Sequence, residues 1–165
     1  MARENLFSQL EKVLSRQHEL AGQMLAAARR QNDALRRNDI TILTRAVDEL
    51  EQLNGPMRQL EEEREALQAR LAGALALPPG APLKDMAPSA PGELPARLSA
   101  LRRDMRLRLE ELRQLAGTNK LLTHNALRVN ATILNIFRRT GGATYSNSGQ
   151  VQDSGRSLNT LNKSV

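Results

Sequence analysis

Residues 94–139 read LPARLSALRRDMRLRLEELRQLAGTNKLLTHNALRVNATILNIFRR. One seam position takes Leu98, Met105, Leu112, Asn119, Ala126 and Ile133, and the other takes Leu101, Arg108, Leu115, Leu122, Val129 and Ile136. A heptad kept in register over this length places both sets along one edge of a helix. The spacing predicts a helix of about 45 residues, near 70 Å at about 1.5 Å per residue. Asn119, Asn125, Asn130 and Asn135 gather toward its C-terminal part. Buried polar groups are costly without partners. Either these asparagines face water or each other, or this end of the seam is left uncovered for a partner.

The same period runs upstream. Leu43, Leu50, Met57, Arg64 and Leu71 fall on one position, and Ala46, Leu53, Leu60, Leu67 and Ala74 on the other. Gly55-Pro56 interrupts this stretch, and a proline removes one backbone donor and crowds the preceding turn. The heptad phase is nevertheless the same on both sides. That predicts one helix over 39–76 with a kink near 55–56, because two helices joined by a loop would not need to stay in phase. A first helix is predicted over 3–37 from Leu6, Leu10, Val13, Leu14, Leu20, Met24, Leu25, Ala28 and Leu35. Asn38 and Asp39 are good capping types at the break that follows. Residues 78–93 are rich in Pro, Ala, Ser and Gly. They read as a linker with little to bury, wrapping loosely over one end of the helices.

The composition agrees with long helices. Of 165 residues, 40% are apolar and 25% charged, and Phe7, Phe137 and Tyr145 are the only aromatics. Leu and Ala must do the filling, which suits helical layers, and strand-forming residues are scarce. The expected fold class is all-α: an elongated antiparallel three-helix bundle or coiled coil over 1–139. Residues 140–165 open on Gly141-Gly142 and are rich in Ser, Asn and Gly. Such a segment buries too little to offset its ordering entropy, so a disordered tail is expected. Val151, Leu158, Leu161 and Val165 in it would share one face if the tail folded as a helix on a partner.

The absence of Cys excludes disulfides and thiolate metal sites. The charged N-terminus lacks an apolar signal core, and the longest clean apolar run, Leu71–Leu77, is far short of the roughly 20 residues of a membrane span. A soluble, cytoplasmic chain without membrane insertion is expected. His18 and His124 stand alone, and Glu61, Glu62, Glu63 and Glu65 form one acidic run that reads as a solvated helix surface. General acid–base work needs carboxylates in contrasting environments. Neither an enzyme nor a cofactor or metal is expected.

Charge is segregated. Residues 38–77 carry four basic and eight acidic groups, whereas 94–139 carry ten basic and three acidic. One reading sets an acidic helix beside a basic one, with charges flanking the apolar seam. Another makes the basic segment a nucleic-acid surface.

Two helices, a Pro-rich linker, a long third helix and a polar tail resemble the FlgN-type flagellar export chaperones. Asn119-Lys120-Leu121-Leu122 followed by Asn125-Ala126-Leu127 is similar to the family's Asn-x-x-Leu-Leu run. Thr144-Tyr145-Ser146-Asn147-Ser148-Gly149 is similar to its Tyr-x-x-x-Gly tail signature. Asp33-Ala34-Leu35, and Asp39 followed by Leu43, fit its N-terminal pattern. The resemblance implies a cytoplasmic chaperone that grips the helical terminal regions of hook-associated (hook–filament junction) proteins and brings them to the type III export machinery. It implies client binding by the end of the third helix and the tail, through Leu122, Ala126, Val129, Ile133, Ile136, Val151, Leu158, Leu161 and Val165. It associates Tyr145 with docking at the export gate. No nucleic-acid partner is expected, since the aromatics of a single-strand stacking platform are lacking. A basic nucleic-acid-binding protein and a self-associating coiled-coil scaffold remain the alternatives, since an intramolecular bundle and an intermolecular coil use the same heptads.

Overall fold

A computed structural model describes the backbone over residues 2–140 and the side chains over 3–136. Every regular element among the described residues is helical: α1 (Ala2–Arg37), α2 (Ile40–Ala74), α3 (Leu83–Met86), a 3-10 turn (Ala87–Ser89) and α4 (Leu94–Thr140). The chain divides into two compact units, Met1–Thr123 and His124–Val165.

In the first unit α1 and α2 form an antiparallel hairpin. Its turn is built from the residue types at 38–39. Asn38 takes the left-handed conformation (φ 54°), one that Asn tolerates better than most residues. Asp39 caps α2, its carboxylate accepting the Ile42 N–H at 3.0 Å. α2 continues through Pro56. Its seam positions on both sides of the proline are buried or half-buried, so the register survives the missing donor.

The α1 and α2 backbones come within 8 Å of each other along their shared length, whereas α4 stands farther off. Long side chains bridge that gap. Arg97 pairs with Glu11, Arg108 reaches the His18 carbonyl, Arg29 pairs with Glu111, and Asn119 meets Asn32. Partner numbers rise together on both helices, so α4 runs parallel to α1.

The main core cluster joins Phe7, Leu10, Val13 and Leu14 of α1, Leu67, Leu71 and Ala72 of α2, and Leu98 of α4. The connection between α2 and α4 departs from the expected loose linker. Ala81, Met86, Ala87 and Ala90 all belong to this cluster, and Met86 is fully buried. The helical turn Leu83–Met86 is what changes its role. Leu83 and Met86 lie three residues apart on one face, and together they cover the end of the core that the two long helices leave open. The prolines end the turns without preventing them, since Pro is compatible with a first helical turn.

Candidate functional site

α4 carries the candidate site. Over the first unit its seam is covered: Leu98 and Asn119 are buried, and Leu101, Met105, Arg108, Leu112, Leu115 and Leu122 are half-buried, with most intervening residues exposed. Two polar residues sit in this seam, and both have partners on α1. Arg108 donates from Nη1 to the His18 carbonyl at 2.9 Å. Asn119, 3% exposed, donates from Nδ2 to the Ala28 carbonyl at 3.0 Å and to Gln31 Oε1 at 2.9 Å. Its Oδ1 accepts the Asn32 amide at 2.7 Å, and Asn32 Oδ1 accepts the Arg36 Nε–H at 2.9 Å. No buried side-chain nitrogen or oxygen among the described residues lacks a partner. Asn119 therefore holds α4 to α1 and presents nothing to solvent.

In the second unit the seam keeps its register but is exposed. Val129, Ile133 and Ile136 are 54%, 44% and 55% exposed, and Ala126 is exposed as well. Leu127 and Leu134 add to them at 64% and 61%. At about 100° per residue these six positions spread over roughly half the helix circumference, with Asn130 inside the arc. His124, Asn125, Arg128, Thr132 and Asn135 occupy the other half. A stripe this wide is what a helix presents to a partner layer, broader than a two-stranded coiled-coil edge. Leu127 and Leu134 were not among the residues that the seam singled out; their signal was the seven-residue step between them, one position off the main register. Leu122 belongs to the covered part of the seam. Val151, Leu158, Leu161, Val165 and Tyr145 lie outside the described residues.

Charge pairing is arranged around α1. Arg30 meets Glu49 of α2 at 2.5 Å, while Glu11 and Arg29 take partners on α4. Among the described residues no ion pair joins acidic α2 to basic α4, so the expected flanking of one by the other is mediated by the helix between them. Among the described residues Glu61 is the most perturbed carboxylate. The Arg64 guanidinium hydrogen-bonded to it holds it below the usual carboxylate range; partial burial opposes this, and the Gln17 amide at 2.8 Å reinforces it. Arg64 is correspondingly raised by Glu61.

No group of His, Asp or Glu among the described residues is arranged to hold a metal ion. No helix among them is long and apolar enough to cross a membrane. What the arrangement offers is a broad apolar helical surface suited to protein binding.

The family model described as FlgN protein matches residues 1–153. No curated protein and no solved structure matches the chain.

Proposed function

The chain belongs to the FlgN family, and from that premise we propose that it is a cytoplasmic chaperone for hook-associated flagellar proteins, which it delivers to the type III export apparatus. Membership implies a flagellar export chaperone role; the client class, the gripping surface and the delivery step are our reading. One observation carries it. The seam that binds α1 up to Asn119 continues in register through Ala126, Val129, Ile133 and Ile136, where it is exposed. Exposed apolar patches on this scale mark interaction sites. A helical terminal region of a client, itself prone to assemble, supplies the complementary amphipathic face.

In this reading the exposed end of α4 is the gripping surface. Residues 140–165 extend the grip through Val151, Leu158, Leu161 and Val165, and Tyr145 serves docking at the export gate. Ordering such a segment on a partner typically costs about 2–5 kcal/mol of the gross interaction energy. The resulting grip is reversible, as delivery requires. No covalent step is involved.

The test is binding of full-length protein to the hook-associated proteins of its own genome. Val129→Asp with Ile133→Asp should abolish co-purification, whereas Arg128→Asp with Thr132→Asp, on the polar half, should not. Full binding by the Val129/Ile133 variant sinks the assignment of the seam. Tyr145→Ala should keep the client bound yet lower its secretion; unchanged secretion removes the docking role.

A further inference from the structure

α2 and α4 face each other across an open groove of about 1240 Å³ in the first unit. Leu14 and Gln17 of α1 lie at its floor, and Gly80–Leu83 closes one end. Met57 on α2 and Met105 and Leu109 on α4 line it, with Leu109 46% exposed. The α4 wall draws on positions 102, 105, 106, 109, 110 and 113, which is one helical face. The α2 wall runs from Asn54 to Ala69. At about 1.5 Å per residue the two walls are roughly 17 and 22 Å long, the length of a helix of three to four turns.

The charges lining the groove are unequally satisfied. On α2 the arginines are matched along their own helix, Arg64 with Glu61 and Arg58 with Glu62. On α4, Arg102 and Arg106 line the groove one turn apart, and neither has a carboxylate partner among the described residues. The three carboxylates that line the groove lie nearest other arginines, Glu61 and Glu65 beside Arg64 and Glu110 beside Arg113. The groove therefore combines apolar lining residues, an adaptable methionine on each wall among them, with an unmatched pair of guanidinium groups along one lip.

We propose that this groove is a second docking surface, for an amphipathic helix with carboxylates along one flank. Its apolar face would lie on Leu14, Met57, Met105 and Leu109, and its acidic flank would meet Arg102 and Arg106. The guanidinium fork suits carboxylates in particular. The proposal concerns the first unit only and stands independently of the exposed seam of the second.

A fluorescein-labelled 15-residue peptide tests it, with Leu at helical spacing on one face, Glu on one flank and Gln elsewhere. A control peptide carries Lys in place of Glu. Full-length protein should bind the Glu peptide saturably in fluorescence anisotropy at about 150 mM salt and leave the Lys peptide unbound. Arg102→Glu with Arg106→Glu should weaken the Glu peptide by about tenfold or more and create affinity for the Lys peptide. Both residues are exposed, so circular dichroism should show the variant folded as the wild type. Met105→Gln should weaken both complexes. Lack of saturable binding, or equal binding by the reversed variant, overturns the proposal. So does displacement of the peptide by a single-stranded oligonucleotide of equal charge with no effect of Met105→Gln, which would make the surface a polyanion site. A wild-type dimer that the reversed variant dissociates in sedimentation would assign the groove to a second copy and overturn it likewise.

Discussion

Arg108 enters the seam of α4 opposite Gly22 of α1. Its Nη1 donates to the His18 carbonyl at 2.9 Å, and a Cβ at Gly22 would lie 2.5 Å from that nitrogen. Glycine inside a helix usually costs about 1 kcal/mol relative to Ala. Here it leaves room for the guanidinium, and the loss is offset by a charge-assisted hydrogen bond. Gly22→Ala is expected to be nearly neutral in the wild type and stabilising by about 1 kcal/mol in an Arg108→Ala background. Urea denaturation of the four proteins of this cycle measures the coupling. Equal effects in both backgrounds would mean that the guanidinium yields at no cost.

Asn119 and Asn32 form the second polar link between α1 and α4. Asn119→Ala leaves the Asn32 side-chain amide without its buried acceptor and takes from the Ala28 carbonyl the bond it accepts beyond its own helix ladder, and should cost about 2–3 kcal/mol. Adding Asn32→Ala should cost less than the sum of the single changes, because the second substitution removes the orphaned amide. Additivity in thermal or urea unfolding would contradict the shared network.

Met86 gives the connection between α2 and α4 a structural weight that its composition conceals. Met86→Ala should destabilise by about 2–4 kcal/mol, as truncation of a fully buried side chain does. Lys84→Ala, exposed in the same turn, should stay within about 0.5 kcal/mol of the wild type. Chemical denaturation compares the two directly.

Glu61 sets a pH dependence. Its carboxylate is held below 4.5, so the folded state binds fewer protons than the unfolded state near that pH. The stability it contributes is present above 4.5 and is lost as pH falls through the lower folded-state value. Glu61→Gln should therefore be less stable than the wild type at pH 7, with the gap closing under acid. Denaturation midpoints between pH 7 and 3 check this, and a gap that widens under acid would reverse the sign.

Ile133 separates binding from folding. It is exposed, so Ile133→Ala should alter stability by no more than about 0.5 kcal/mol. If the seam takes a client, the same change should weaken the complex about tenfold, through lost burial of one aliphatic side chain. Calorimetric titration with a hook-associated protein, beside a melting curve, reads both.

Much of the helical layout was legible because helical periodicity is local. The steps of three and four from Leu98 to Leu122 required no knowledge of what packs on them, and neither did the phase shared across Pro56. The turn at Asn38 and Asp39 was likewise written in side-chain chemistry. The burial of Met86 was not legible. A Pro-, Ala- and Ser-rich stretch reads as linker, and only the open end of a core made by Phe7, Leu71 and Leu98 gives Leu83–Met86 something to cover. The separation of α2 from α4 was also hidden, since opposite charges in two segments do not say whether a third helix lies between them.

The sequence by itself determined the helices, their registers and the existence of one long apolar seam, because each follows from the spacing of neighbouring residues along a rigid helix. The tertiary structure decided what each seam position does. It gave Arg108 a hole at Gly22, matched Asn119 to Asn32 across 87 residues of chain, and buried Leu98 while leaving Val129 and Ile133 exposed in the same register. The physical reason is that amphipathicity states which face prefers to be covered, whereas covering it requires atoms from elsewhere in the chain or from a partner.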